Sequence, residues 1–184
     1  MRFLLPLFLL MPGLAMAHPG HDGADGFASG LAHPLLGLDH LIAMLAVGVL
    51  AALLGGHARW AVPGGFLAGM LVFGLISVGG AESDLAEHVI IASVILLGVA
   101  VALVVRLPLA VIVGFAALFG AAHGYAHGSE GPGELGYLAG FMLATAALHG
   151  AGYALGGWVA ARSPLVLRGS GAAISLAGLA LAFG

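Results

Sequence analysis

The chain has no cysteine and no lysine, and charged residues make up only 7% of its 184 positions. Without cysteine there is no disulfide, no thiolate metal site and no thiol nucleophile. Soluble domains carry roughly 25% charged residues, so this chain cannot cover a globular surface exposed to water. Its five arginines are too few for a face that grips nucleic-acid phosphates. Disorder is excluded too, because 61% of residues are hydrophobic and mean hydropathy is +1.15. Catalytic motifs are also missing: there is no H-E-x-x-H, G-x-S-x-G, P-loop or dinucleotide fingerprint, so neither an enzyme nor a permanent cofactor is expected. An all-α integral membrane protein is what remains. What the chain does have is nine histidines, eight acids and 32 glycines.

The start reads as a secretory signal over residues 1–17. Arg2 supplies the charge, Phe3 to Leu14 a short apolar stretch, and Ala15-Met16-Ala17 an A-x-A cleavage site. A polar leader, 18–30, follows, and 31–184 reads as a single transmembrane domain. Apolar stretches long enough to span a bilayer recur there at about 34–54, 60–79, 88–105, 108–127, 135–161 and 164–183, six in all. Pro34, Pro108 and Pro164 each fall at or near an expected helix start, where a missing N–H costs nothing.

Charge sets the expected orientation. Arg59, Arg106, Arg162 and Arg168 all fall between spans one and two, three and four, or five and six. By the positive-inside rule those loops are cytoplasmic and both termini of the mature chain are periplasmic, which implies a multi-pass protein of a bacterial inner membrane. The acids keep to the other side, with one exception: Asp39 lies inside the first span. The glycines recur four apart, as Gly65/Gly69, Gly120/Gly124/Gly128, Gly136/Gly140 and Gly152/Gly156, the small-xxx-small spacing that brings membrane helices close.

Two constellations carry chemistry. In the first, His33-Pro-Leu-Leu-Gly-Leu-Asp39-His40, the two histidines are seven apart and share a helix face about 10 Å apart along the axis. Asp39 is expected to point away from them, toward a neighbouring helix, as a ligand or as the orienting partner of a histidine there. In the second, His123, His127 and Glu130 share one face at four- and three-residue spacing. Contact between the two helices brings both sets together in the outer half of the membrane. Imidazole and carboxylate suit Ni²⁺, Co²⁺, Zn²⁺ or Fe²⁺, whereas Cu⁺ finds no cysteine and only Met44, Met70 and Met142 beyond the signal. A lone membrane histidine such as His149 serves equally well as a helix–helix hydrogen bond, and for the others packing alone would have to partner several polar groups at once. In the leader, His18, His21, Asp22 and Asp25 either collect metal or form a solvated tail.

At these two motifs the sequence resembles the HupE/UreJ family of bacterial nickel permeases. The family's first pattern, H-x5-D-H, is met by His33, Asp39 and His40. Its second, F-H-G-x-[A/V]-H-G-x-E, is met by His123, Gly124, Ala126, His127, Gly128 and Glu130, with Ala122 in place of the leading Phe and Phe119 one turn earlier. The resemblance extends over the whole chain. It implies secondary uptake of Ni²⁺, with Co²⁺ next, to supply hydrogenase, urease or cobalamin pathways. The expected metal ligands are His33, Asp39, His40, His123, His127 and Glu130, with His149, His18, His21 and Asp22 as outlying candidates. Six spans also divide into a 3+3 inverted repeat, an arrangement common in secondary transporters. A haem or electron-transfer protein with histidine axial ligands, an intramembrane hydrolase, and a metal sensor or store that moves no ions are the competing readings. A homo-oligomer is compatible with all of them.

Overall fold

The computed structural model describes residues 25–130 and 135–183, so the expected signal peptide and the leader residues His18, His21 and Asp22 lie outside the described residues. Within them the chain is all helical, with no strand: α1 (Asp25–Leu36), α2 (Leu38–Leu54), α3 (Ala58–Ser77), α4 (Asp84–Leu103), α5 (Leu109–Glu130), α6 (Leu135–Arg162) and α7 (Pro164–Phe183). Five of these, α3 to α7, are long and apolar enough to cross a membrane. The first expected span is not one straight helix. It is broken at Gly37 into α1 and α2, which meet at 82° and count as a sixth span only when taken together.

The break follows from local chemistry. Pro34 lies inside α1 rather than at a helix start, so its missing N–H leaves the α1 ladder one bond short. Gly37 then takes an extended conformation (φ −86°, ψ 117°) and α2 begins anew after it. The other helix ends are orthodox. Ser83 accepts the Ala86 N–H at 3.4 Å to cap α4, and Ser163 accepts the Val166 N–H at 3.3 Å at the start of α7.

Glycines decide which helices touch. A Cβ on Gly69 would overlap the Ala117 carbonyl, and one on Gly120 or Gly124 would overlap the carbonyls of Phe66 and Met70, so α3 and α5 lie backbone to backbone. Gly48 and Gly152 clamp α2 against α6 in the same way, Gly30 and Gly140 clamp α1 against α6, and Gly98 and Gly171 clamp α4 against α7. With little hydrophobic drive between helices in lipid, close packing of this kind is what holds them. The core lies between the α3/α5 and α2/α6 pairs, around fully buried Met44, Phe66, Met70 and Phe141. Large apolar side chains such as Phe73, Ile76, Leu85 and Leu165 face outward, as a lipid-facing surface requires.

The two ends of the bundle differ. At one, the Arg162 guanidinium carbon lies 4.1 Å from the Trp158 ring centroid and that of Arg59 lies 5.6 Å from the Trp60 centroid. The chain's two tryptophans thus sit with arginines at the same end, the residue types that anchor a membrane interface. Glu82, Asp84 and Glu87 are exposed at the opposite end, before and within the first turn of α4.

Candidate metal-ion path

Folding α1 back at Gly37 brings His33 and His40 closer than a straight helix permits. Their ring centroids are 6.0 Å apart, not the roughly 10 Å that seven residues of helix would impose. Asp39 likewise departs from expectation. It does not reach a neighbouring helix: its Oδ1 accepts the His40 Nδ1–H at 2.6 Å and the His40 backbone N–H at 2.9 Å. The physical reason is its position in the first turn of α2, where backbone N–H groups have no helical acceptor and a carboxylate folds back to take one. Donation from Nδ1 leaves the His40 Nε2 with its lone pair, which accepts a short hydrogen bond from His127 Nε2.

Histidine side chains reaching across from α5, which is itself packed on α3, complete the group. The His127 ring stands 4.5 Å from both His33 and His40, and His123 stands 5.1 Å from His40, all between centroids. His40, His123 and His127 are buried and His33 is half-buried. His123 donates its Nδ1–H to the Phe119 carbonyl at 2.8 Å, so its Nε2 is a bare lone pair with no partner among the described residues. Leaving such a group buried and unmatched costs about 1–3 kcal/mol, which a structural histidine would avoid. Glu130 is the last residue of α5, and its side chain lies outside the described set. Among the described residues no three His, Asp or Glu side chains are already set around one point as a closed metal site. The rings are gathered, but they do not form a cage.

His149 is placed apart from this group. On α6, it donates Nδ1–H to the Met44 carbonyl at 2.8 Å, which fits the helix–helix bond expected of a lone membrane histidine. Its other nitrogen, Nε2, is buried and unpartnered among the described residues, which that bond alone does not explain. His57 and His88 are exposed and stand outside the cluster.

Sequence reasoning missed the aromatic wall. Phe141 lies 4.5 Å from His127 and 5.9 Å from His33, and Tyr137 lies 5.8 Å from His33, again between centroids. Their four-residue spacing on α6 was a usable signal, but in an apolar span it reads as ordinary core. Two methionines counted singly also come together, since the Thr145 hydroxyl lies 3.3 Å from the Met44 sulfur and 3.9 Å from that of Met70.

A multi-pass, all-helical protein with a buried histidine–carboxylate cluster between its helices is the class that this fold and site define. The comparisons narrow it. The HupE / UreJ protein family matches residues 6–181, and Protein HupE of Rhizobium leguminosarum bv. viciae is 42% identical over 183 residues, covering 96% of this chain and 94% of that protein. The chain belongs to the HupE / UreJ family. No solved structure matches.

Proposed function

We propose that the protein is a secondary permease that takes up a divalent transition-metal ion, Ni²⁺ in the first place and Co²⁺ next, across a bacterial inner membrane. The observation that carries this reading is the group of four imidazoles from α1, α2 and α5, with Asp39 holding His40 by its Nδ1. A carboxylate behind a histidine fixes the tautomer and raises the basicity of the free nitrogen, as in many metal sites. His33, at the rim, receives the ion with His127 and Glu130. His40 and His123 hold it deeper, and release proceeds past His149 toward the arginine end. An ion that displaces the proton shared by His40 and His127 gains two nitrogens at once.

That the described residues form no closed cage suits transport, because a cargo site must bind weakly enough to release. The helix pairings also support a 3+3 arrangement. Matching α2, α3 and α4 with α5, α6 and α7 exchanges the α3/α5 and α2/α6 pairs and maps α4/α7 onto itself. The imidazole and carboxylate donors are of the kind that nickel and cobalt accept.

The test is Ni²⁺ and Co²⁺ uptake into proteoliposomes, with Asp39→Ala and His123→Ala beside the wild type. Uptake well above empty liposomes in the wild type, abolished in both variants, is expected. Wild-type uptake equal to that of empty liposomes defeats the permease, and a Soret band in the purified protein would favour a haem protein instead. If both variants keep full uptake, the path lies elsewhere.

A further inference from the structure

Six rings stand in file through the protein, and five of them carry nitrogen. In order they are His33, His127, His40, His123, Phe66 and His149, with successive centroids 4.5, 4.5, 5.1, 5.1 and 5.1 Å apart. Phe66 is fully buried. On either side of it, the Nε2 atoms of His123 and His149 have no partner among the described residues. Beyond it, His149 lines an open cavity of about 500 Å³ together with Arg59, Trp60, Ala146 and Gly150. The one apolar ring of the file, Phe66, therefore stands between the histidine cluster and a space lined by Arg59 and Trp60.

We propose that the Phe66 ring is the barrier of the ion path, closing the histidine cluster from the His149 cavity. This rests on the permease reading of that cluster. A phenyl ring offers no lone pair, so along the file an ion leaving His123 meets no ring nitrogen until His149. A constriction lined by such a side chain also excludes the water that would otherwise rehydrate the ion. The backbone around Phe66 leaves little freedom, because its carbonyl is the atom that a Cβ on Gly120 would strike. Phe66 and His123 accordingly belong to the clamped α3/α5 pair, whereas His40 and His149 belong to the α2/α6 pair. The file runs along the seam between the two. Sliding one pair against the other parts Phe66 from His149 without breaking either glycine clamp, so the same movement that loosens the imidazole contacts opens the way out.

The absence of native cysteine makes a direct test practical. Ala146→Cys puts one thiol in the cavity beyond Phe66. Ag⁺, a small thiophilic cation, is added to oriented vesicles from one side or the other, and the remaining free thiol is then counted with a fluorescent maleimide. With Phe66 intact, Ag⁺ is expected to protect the thiol from the arginine side and not from the side of the histidine cluster. Phe66→Ala should speed protection from the histidine side roughly tenfold or more, a change that a barrier lower by about 1.4 kcal/mol produces. Phe66→Leu, which keeps the apolar bulk, should hold the barrier, and the sidedness of protection with Phe66 in place reads it even if the alanine variant fails to fold. Equal rates in all three backgrounds, or ready protection from the histidine side with Phe66 in place, overturn the proposal. The readout needs no nickel. A wild type that moves no Ni²⁺ while showing the expected Ag⁺ pattern counts against the cargo and leaves the barrier standing.

Discussion

Asp39 shows how one side chain can act entirely through its neighbour. Its Oδ1 takes two N–H groups of His40, one from the ring and one from the backbone, and its side chain remains 24% exposed. On the permease reading it is a positioning residue, one that keeps the His40 lone pair aimed at the cluster. Asp39→Asn retains the shape and loses the charge, and changes to such outer partners cost about 10–100-fold in metal affinity or activity. Ni²⁺ uptake should fall by that factor with the protein still monodisperse. Asp39→Glu, which restores the carboxylate at a shifted position, should recover part of the loss. Unchanged uptake in Asp39→Asn would show that the charge is dispensable and His40 is held by packing alone. His123 differs, since its Nε2 has no partner among the described residues. His123→Leu, which keeps most of the buried volume, should abolish uptake with little change in stability, read as thermal unfolding in detergent.

At the scale of the element, glycines carry the argument. Gly124 faces the Met70 backbone across the α3/α5 contact, whereas Gly114 on the same helix has open space where a Cβ would go. Overpacking a tight contact costs about 1–3 kcal/mol, so Gly124→Ala should lower the unfolding temperature clearly. Gly114→Ala should leave it unchanged or raise it, because alanine stabilises a helix over glycine by about 0.8–1 kcal/mol. Equal effects of the two would mean that the close approach is not what holds α3 to α5. The four-residue glycine spacing made these contacts readable in the sequence, and Pro108 and Pro164 marked the starts of α5 and α7. The break at Gly37 was not readable in that way. Pro34 fits a helix start as well as it fits an interior position, and only the packing of α1 on α6, through Gly30 and Gly140, decides between them. From that one bend follow both departures from expectation, the short His33–His40 separation and the turn of Asp39 back onto His40. The histidines themselves were legible by type and spacing. Phe66 was not, since a phenylalanine in an apolar span gives no sign of standing between two imidazoles.

For the whole molecule, the scarcity of charge makes its orientation in a membrane simple to read and to test. All the arginines after residue 30 lie in loops or helix ends at one side of the bundle, and the carboxylates of the α3–α4 connection lie at the other. Each arginine near a membrane surface interacts favourably with anionic lipid by about 1 kcal/mol, so an arrangement this one-sided biases orientation strongly even with few charges. His57 and Glu82 are exposed residues flanking the two ends of α3. In a chain with no native thiol, His57→Cys and Glu82→Cys each introduce a single reporter. An impermeant maleimide added to intact spheroplasts should label the protein at Glu82→Cys and spare His57→Cys, with the pattern reversed in inverted vesicles. Labelling of both from one side would break the α3 span and with it the 3+3 arrangement. The reverse sidedness would keep the spans but turn the histidine cluster toward the cytoplasm, and the path read from cluster to cavity would then run outward, with the cluster as entrance and the His149 cavity as exit.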